Sequence, residues 1–199
     1  MRRAATREVT REAILDAADR RLARFGYNKM TIDELAAEAG IGKGTVYLHF
    51  SSKEEVVLSH VDRIVERLCV RLERLAGQDK AAGERIKAIL VERVIFRLLS
   101  VQHYTESLND VCSSIRAGLI ERRARHFEKE ARIVTRVLTE GRRAGELNVP
   151  RVPETARALL EATNALLPYS LSPQELGDPP DVRRRASAIA DLLVRGLGT

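Results

Sequence analysis

Seven consecutive residues, Lys43-Gly44-Thr45-Val46-Tyr47-Leu48-His49, carry the most informative chemistry in the chain. On a short helix, Val46 and Phe50 lie four apart and turn inward. The remaining surface is Lys43, Gly44, Thr45, Tyr47, Leu48 and His49, a mixture of hydrogen-bonding, aromatic and small residues. Such a set suits reading base edges and gripping phosphates. Lys53 follows at the start of the next helix, where a cation meets a phosphate. Thr31 heads the preceding helix, where free amides and a partial positive charge favour an anion. This is the chemistry of recognition, not of bond making. No Ser-His-Asp context, Gly-rich phosphate loop or paired metal motif appears, so the chain is expected not to be an enzyme and to use no cofactor.

The elements that must position these residues are all helical, because apolar residues recur with a period near 3.6 and nowhere alternate long enough for a strand. Ile14, Leu15, Ala18, Leu22 and Phe25 form one stripe, stopped by Gly26. Thr31 and Glu34 make a capping box that opens a short helix through Leu35, Ala36 and Ala39, ended by Gly40. A second short helix begins near Lys43. Two helices of about eight residues are too short to stand alone. They hold only if Leu35, Ala36, Ala39, Val46 and Phe50 pack on the first stripe, which makes the pair a helix-turn-helix sized for a major groove about 12 Å wide.

Ser52 and Glu55 form a further capping box before a long helix, roughly 53–76, whose stripe of Val57, Val61, Ile64, Leu68, Leu72 and Leu75 runs to Gly77. Ile86, Ile89, Leu90, Val94 and Leu98 mark another helix, and a break falls between Gln102 and Asn109. Ile115 to Leu138 forms a long helix ended near Gly141 to Gly145. Pro153 opens a helix expected to run through Leu167, with Pro168 as its stop. Ser172 to Pro180 reads as a Pro-rich loop, and Val182 to Leu197 as the last stripe.

Composition narrows the class. The chain has 199 residues, 34 Lys plus Arg against 28 Asp plus Glu, and a net charge of +6. With 44% hydrophobic and 31% charged residues, it reads as a soluble folded protein with an aliphatic core. No apolar run approaches the roughly 20 residues of a membrane helix, and no secretory signal opens the chain. Cys69 and Cys112 are too few for a disulfide scaffold, and Cys69 continues an apolar stripe as a structural thiol. No metal site is expected, and the location is read as cytoplasmic. Residues 1–53 hold ten basic and seven acidic side chains, so +3 of the +6 sits in about a quarter of the length. Arg2, Arg3 and Arg7 are expected to form a basic arm along the backbone or in a minor groove.

With these residues in view, the string TREAILDAADRRLARFGYNKMTIDELAAEAGIGKGTVYLHFSSKEEV resembles the N-terminal domain of TetR-family transcriptional regulators. Ile14-Leu15, Ala17-Ala18, Phe25-Gly26-Tyr27, Thr31-Ile32, Leu35-Ala36, Ala39-Gly40, Lys43-Gly44-Thr45, Tyr47, Phe50 and Lys53 all fall in register with the family pattern. The resemblance implies that Lys43, Gly44, Thr45, Tyr47, Leu48 and His49 face DNA, while Lys53 and Thr31 hold phosphates. Gly42 stands where the family often has Ser, and Leu48 where an aromatic or polar residue is frequent. One hydroxyl contact is thus in doubt, and Leu48 is a candidate for a thymine methyl.

The resemblance also implies a larger helical domain, here 54–199 against a reading domain of 1–53, that senses a small molecule and dimerises. The effector is not specified by the sequence. Few aromatics remain after residue 53, so a pocket would be aliphatic. Its candidate residues are Arg93, Arg97, Gln102, His103, Tyr104, Phe127, Asn164 and Tyr169, with Asn109 near the break. The plainer reading of the same residues puts both arginines on a solvent face and bonds Asn164 to a backbone carbonyl. The helices near 153–168 and 181–197, with Ala156, Ala186 and Ala190 among larger residues, are expected to pair with a second copy as a four-helix bundle. The expected protein is a dimeric, ligand-responsive repressor on a palindromic operator, with no membrane partner. The alternative is a DNA-binding regulator or architectural protein without an effector.

Overall fold

A computed structural model describes the backbone of residues 2–104, 113, 115–167 and 173–198, with side chains from Thr6 onward except Tyr104, Pro173 and Gln174. Asn109, Cys112, Pro168 and Tyr169 lie outside the described residues, as does the side chain of Tyr104. Among the described residues there is no strand, and no helix is long and apolar enough to cross a membrane.

The first helix, α1, is Arg2–Lys29, broken at Gly26 by a positive φ of 76° that glycine adopts without steric cost. The expected arm is corrected here. Arg2, Arg3 and Arg7 belong to α1, because nothing before Gly26 breaks the helix. Phe25 is corrected as well. It leaves the buried stripe and is 37% exposed, with the Arg21 guanidinium 4.0 Å from its ring centre.

Two short helices follow, α2 (Ile32–Glu38) and α3 (Lys43–His49). The Thr31–Glu34 capping box forms in full, and Gly40 makes the turn with φ 68°. Lys53–Ala76 is α4, whose start is capped by Ser52 Oγ accepting from the Glu55 amide at 3.0 Å. Then come α5 (Ala82–Val101), a 3-10 turn at Gln102–Tyr104, and α6 (Arg116–Arg143).

The next helix, α7, is Val152–Ala162 and stops five residues before the expected Leu167. Its end is set by a distant side chain. Arg93 donates from Nη1 to the Leu160 carbonyl at 3.0 Å, a backbone acceptor that another helical turn would have used, and to the Thr163 hydroxyl at 2.8 Å. A 3-10 turn, Asn164–Leu166, replaces it. The expected 172–180 loop contains a one-turn helix, α8 (Pro173–Leu176). The last helix, α9 (Pro179–Arg195), starts earlier than expected because Asp178 accepts from the Asp181 amide.

The chain divides into two compact units: Met1–Ile64 with His103–Arg122, and Val65–Gln102 with Arg123–Thr199. The first is built on Ile14, Leu15, Ala18, Leu22, Leu35, Val46, Phe50 and Val57, all buried. The second encloses an aliphatic core running from Leu68 to Leu197. Ala156, Ala186 and Ala190 are fully buried in that core. They serve close packing within the chain, so they do not mark a surface for a second copy.

Candidate nucleic-acid interface

The reading helix is held by its apolar side. Val46 is fully buried and Phe50, its C-cap, is 3% exposed, so these two fix which way the other five side chains and Gly44 turn. Tyr47 is 51% and Leu48 74% exposed, adjacent on the outward side of the helix. Thr45 and His49 are half-buried beside them. Gly44 is exposed, and a Cβ built there would meet nothing within 4 Å. Its own chain therefore does not need glycine at this helical position, where glycine costs roughly 0.5–1 kcal/mol relative to alanine. The backbone is thus open to approach from outside at this position.

Lys43, expected to face DNA, and Thr31, expected to hold a phosphate, are both engaged within the chain. Lys43 Nζ lies 2.8 Å from Asp33 Oδ2 across the turn, and that carboxylate raises the Lys43 pKa. Both groups are exposed, so a phosphate can take over the ammonium at little cost. At Thr31, the Glu34 carboxylate accepts from the backbone amide at 2.9 Å and from the hydroxyl at 3.0 Å. These bonds, with Arg21 2.5 Å from Glu34, pull the Glu34 pKa down. The chain's own carboxylate thus occupies the place assigned to a phosphate at Thr31.

Lys53 is half-buried. It donates to the Tyr27 carbonyl at 3.1 Å, and its Nζ stands 4.2 Å from the centre of the Tyr27 ring. It ties the break after Gly26 to the start of α4. His49 is influenced by its surroundings: burial, then the charges of Arg7 and Arg11, lower its pKa, while Glu8 acts the other way. The ring is a neutral group with one donor and one acceptor nitrogen near neutral pH, suited to a base edge.

A family model described as "Bacterial regulatory proteins, tetR family" matches residues 14–59, which span the Ile14 stripe, both short helices and the start of α4. Residues 14–59 thus belong to the TetR-family DNA-binding domain. TetR-family proteins of this kind are transcriptional regulators and not enzymes. The chain is 24% identical over 189 residues to the fatty acid metabolism regulator protein of Bacillus subtilis strain 168, covering 92% of this chain and 93% of that protein. Its fold matches a transcriptional regulator FadR from Bacillus subtilis in complex with stearoyl-CoA, with a TM-score of 0.65 at 20% identity, over 93% of this chain and 98% of that one. It also matches a TetR/AcrR-family regulator from Thermobifida fusca YX-ER1, with a TM-score of 0.67 at 25% identity, over 95% and 98% of the two chains.

The residues expected to bind an effector do not gather at one place. Arg93, Arg97 and Asn164 come together in the second unit with two residues the sequence reading missed, Glu130 and Thr163. Arg93 Nε donates to Glu130 Oε2 at 2.5 Å and Arg93 Nη2 to Asn164 Oδ1 at 2.9 Å, while Arg97 binds both Glu130 oxygens. Both arginines and Glu130 are buried, which corrects the solvent-face reading, and Asn164 bonds a guanidinium instead of a carbonyl. Burial alone would raise the Glu130 pKa, but the charges of Arg97 and Arg93 outweigh it and the carboxylate stays ionised. Glu130 was legible in principle, because it falls in register with Phe127, Ala131 and Val134 on the inward face of α6.

The other candidates are scattered. Gln102 is exposed in the turn after α5. His103 is counted with the first unit, where its Nε2 stands 3.3 Å from Asp19. Phe127 is half-buried in the second unit with the Arg157 guanidinium 6.0 Å from its ring centre. Cys69 packs half-buried against the second core, and burial raises its pKa, keeping it a neutral thiol.

Proposed function

We propose that this TetR-family regulator is a repressor that binds a palindromic operator as a homodimer in the cytoplasm and is released by a small-molecule effector. The observation that carries the DNA-binding part is the outward face of α3. Tyr47 and Leu48 are exposed there, and Gly44 is open without any internal need for glycine. Two copies related by a two-fold axis bring two such helices to half-sites about 34 Å apart, one helical turn of B-DNA.

The effector we propose is an acyl-chain compound. Two observations support it: the buried core of the second unit is mainly aliphatic, and the chain is similar over most of its length to a fatty acid metabolism regulator. Release needs an effector that prefers the state unable to span two half-sites. A 99-to-1 switch in either direction requires about 5.5 kcal/mol of differential affinity. Helix α4 contributes residues to both units and is the natural carrier of such a change.

The test is selection of bound fragments from genomic DNA by the purified chain, followed by footprinting and titration with fatty acids and long-chain acyl thioesters. A protected palindrome with half-sites one turn apart, released by the acyl compound, is the expected result. Protection without symmetry removes the homodimer. A palindrome indifferent to every acyl compound removes the proposed effector.

A further inference from the structure

We propose that α1 extends the DNA-binding surface. In this reading Arg7 and Arg11, one helical turn apart, clamp backbone phosphates at the C-terminal end of α3, opposite the cation that Lys43 supplies at its N-terminal end. The inference rests on the reading of α3 as the helix that faces the bases.

The N-terminal segment is helical from Arg2 and not an extended arm. A helix with its side chains is about 10–12 Å across, whereas the minor groove is only about 6 Å wide. The segment therefore meets DNA as a row of side chains along the backbone. Arg11 fixes where that row begins. Its guanidinium lies 5.4 Å from the centre of the Phe50 ring, and Phe50 is the C-cap of α3. The charges of Arg7 and Arg11 both act on His49, the last residue of α3. Four residues of helix place Arg7 about 6 Å farther along, and it is exposed.

The dimensions fit a groove. Seven residues give α3 a length of about 10 Å, close to the 12 Å or so between the phosphate walls of the major groove. Lys43 at one end and Arg11 with Arg7 at the other put a cation against each wall. The acids nearby do not cancel this. Glu12 and Asp16 are turned to Arg63, at 3.0 and 2.7 Å, while Glu12 stands 3.7 Å from Arg11. Glu8 is the next residue after Arg7 and reduces the local field without removing it.

The experiment measures affinity by fluorescence anisotropy between about 50 and 200 mM salt, on the selected operator and on a scrambled duplex of equal length. It compares the full-length chain with Arg7→Gln, Arg11→Lys, Arg11→Gln and Lys43→Gln. Arg7→Gln and Arg11→Gln should each reduce the slope of log K against log salt by about 1.8 on both duplexes alike, about 0.9 for each protomer of the dimer. Arg11→Lys should keep the slope, because the charge remains. Arg7 is exposed, so Arg7→Gln should melt as the parent does, which separates binding from folding. An unchanged slope in folded Arg7→Gln, beside a reduced slope in Lys43→Gln, overturns the clamp and leaves the α3 reading intact. The opposite pattern sustains the clamp and removes Lys43 from the interface. A loss confined to the operator, with altered A·T preference at its flanks, also overturns the clamp, since it marks minor-groove reading.

Discussion

Gly44→Ala should make the protein more stable and a worse DNA binder, an opposition that simple damage does not produce. Gly44 is the second residue of α3, with open space where a Cβ would go. Replacing glycine by alanine in a helix gains roughly 0.5–1 kcal/mol. For a chain of this length that raises Tm by about 1–4 °C, taking about 2–4 °C per kcal/mol. The added methyl stands on the face turned to the duplex. If the backbone approaches DNA there, the methyl overpacks a close contact at about 1–3 kcal/mol, which is about five- to over a hundredfold in Kd. Circular dichroism melting and anisotropy on the selected operator measure the two effects on one preparation. An alanine variant that binds as tightly as the parent refutes the claim that glycine serves the duplex, and a lowered Tm refutes the claim that the site is open.

Lys43→Ala and Lys53→Ala should differ in kind. The first leaves melting unchanged because its ion pair with Asp33 is exposed, yet it flattens the salt slope. The second also loses a bond to the Tyr27 carbonyl, so about 1 kcal/mol of stability, measured by urea titration, should go with it. Glu130→Gln leaves two buried guanidinium groups facing a neutral amide. A loss of about 3–5 kcal/mol is expected, and a loss below about 1 kcal/mol would show that the cluster is not held by charge. Operator affinity should rise as pH falls from about 7.5 to 5.5. The His49 pKa is lowered in the free protein, and neighbouring phosphates favour the charged ring, so the complex takes up a proton that the free chain does not hold. The gain is at most tenfold per pH unit for each His49, and so at most a hundredfold for a dimer that carries two. His49→Gln should remove it, and a flat profile in the parent chain counts against His49 at the interface.

Much of the reading unit could be seen in the residues alone. The Thr31–Glu34 box, the turn at Gly40 and the break at Gly26 are each set by neighbours within a few positions. Val46 and Phe50 then fix the orientation of α3 through a four-residue period. Local hydrogen bonding and helical periodicity are written into short windows, and that is why these features survive from sequence to structure. The helical arm belonged to the same class and was misread, since no residue before Gly26 interrupts α1.

What the fold alone decided is which charges meet. Lys43 finds Asp33 ten positions away, Lys53 finds the Tyr27 carbonyl at twenty-six, and Glu130 finds Arg97 and Arg93 at thirty-three and thirty-seven. Arg93 reaches sixty-seven positions to the Leu160 carbonyl and so sets the end of α7. Side chains of the same type look identical along the chain whether they face water, a carbonyl or a buried carboxylate. Only packing selects among those partners, because desolvation makes a charge depend on everything folded around it. Short windows of the sequence determined most of the helices and the face of α3, but not where α7 ends. The tertiary structure determined which of its charged residues are spoken for within the chain and which stay exposed.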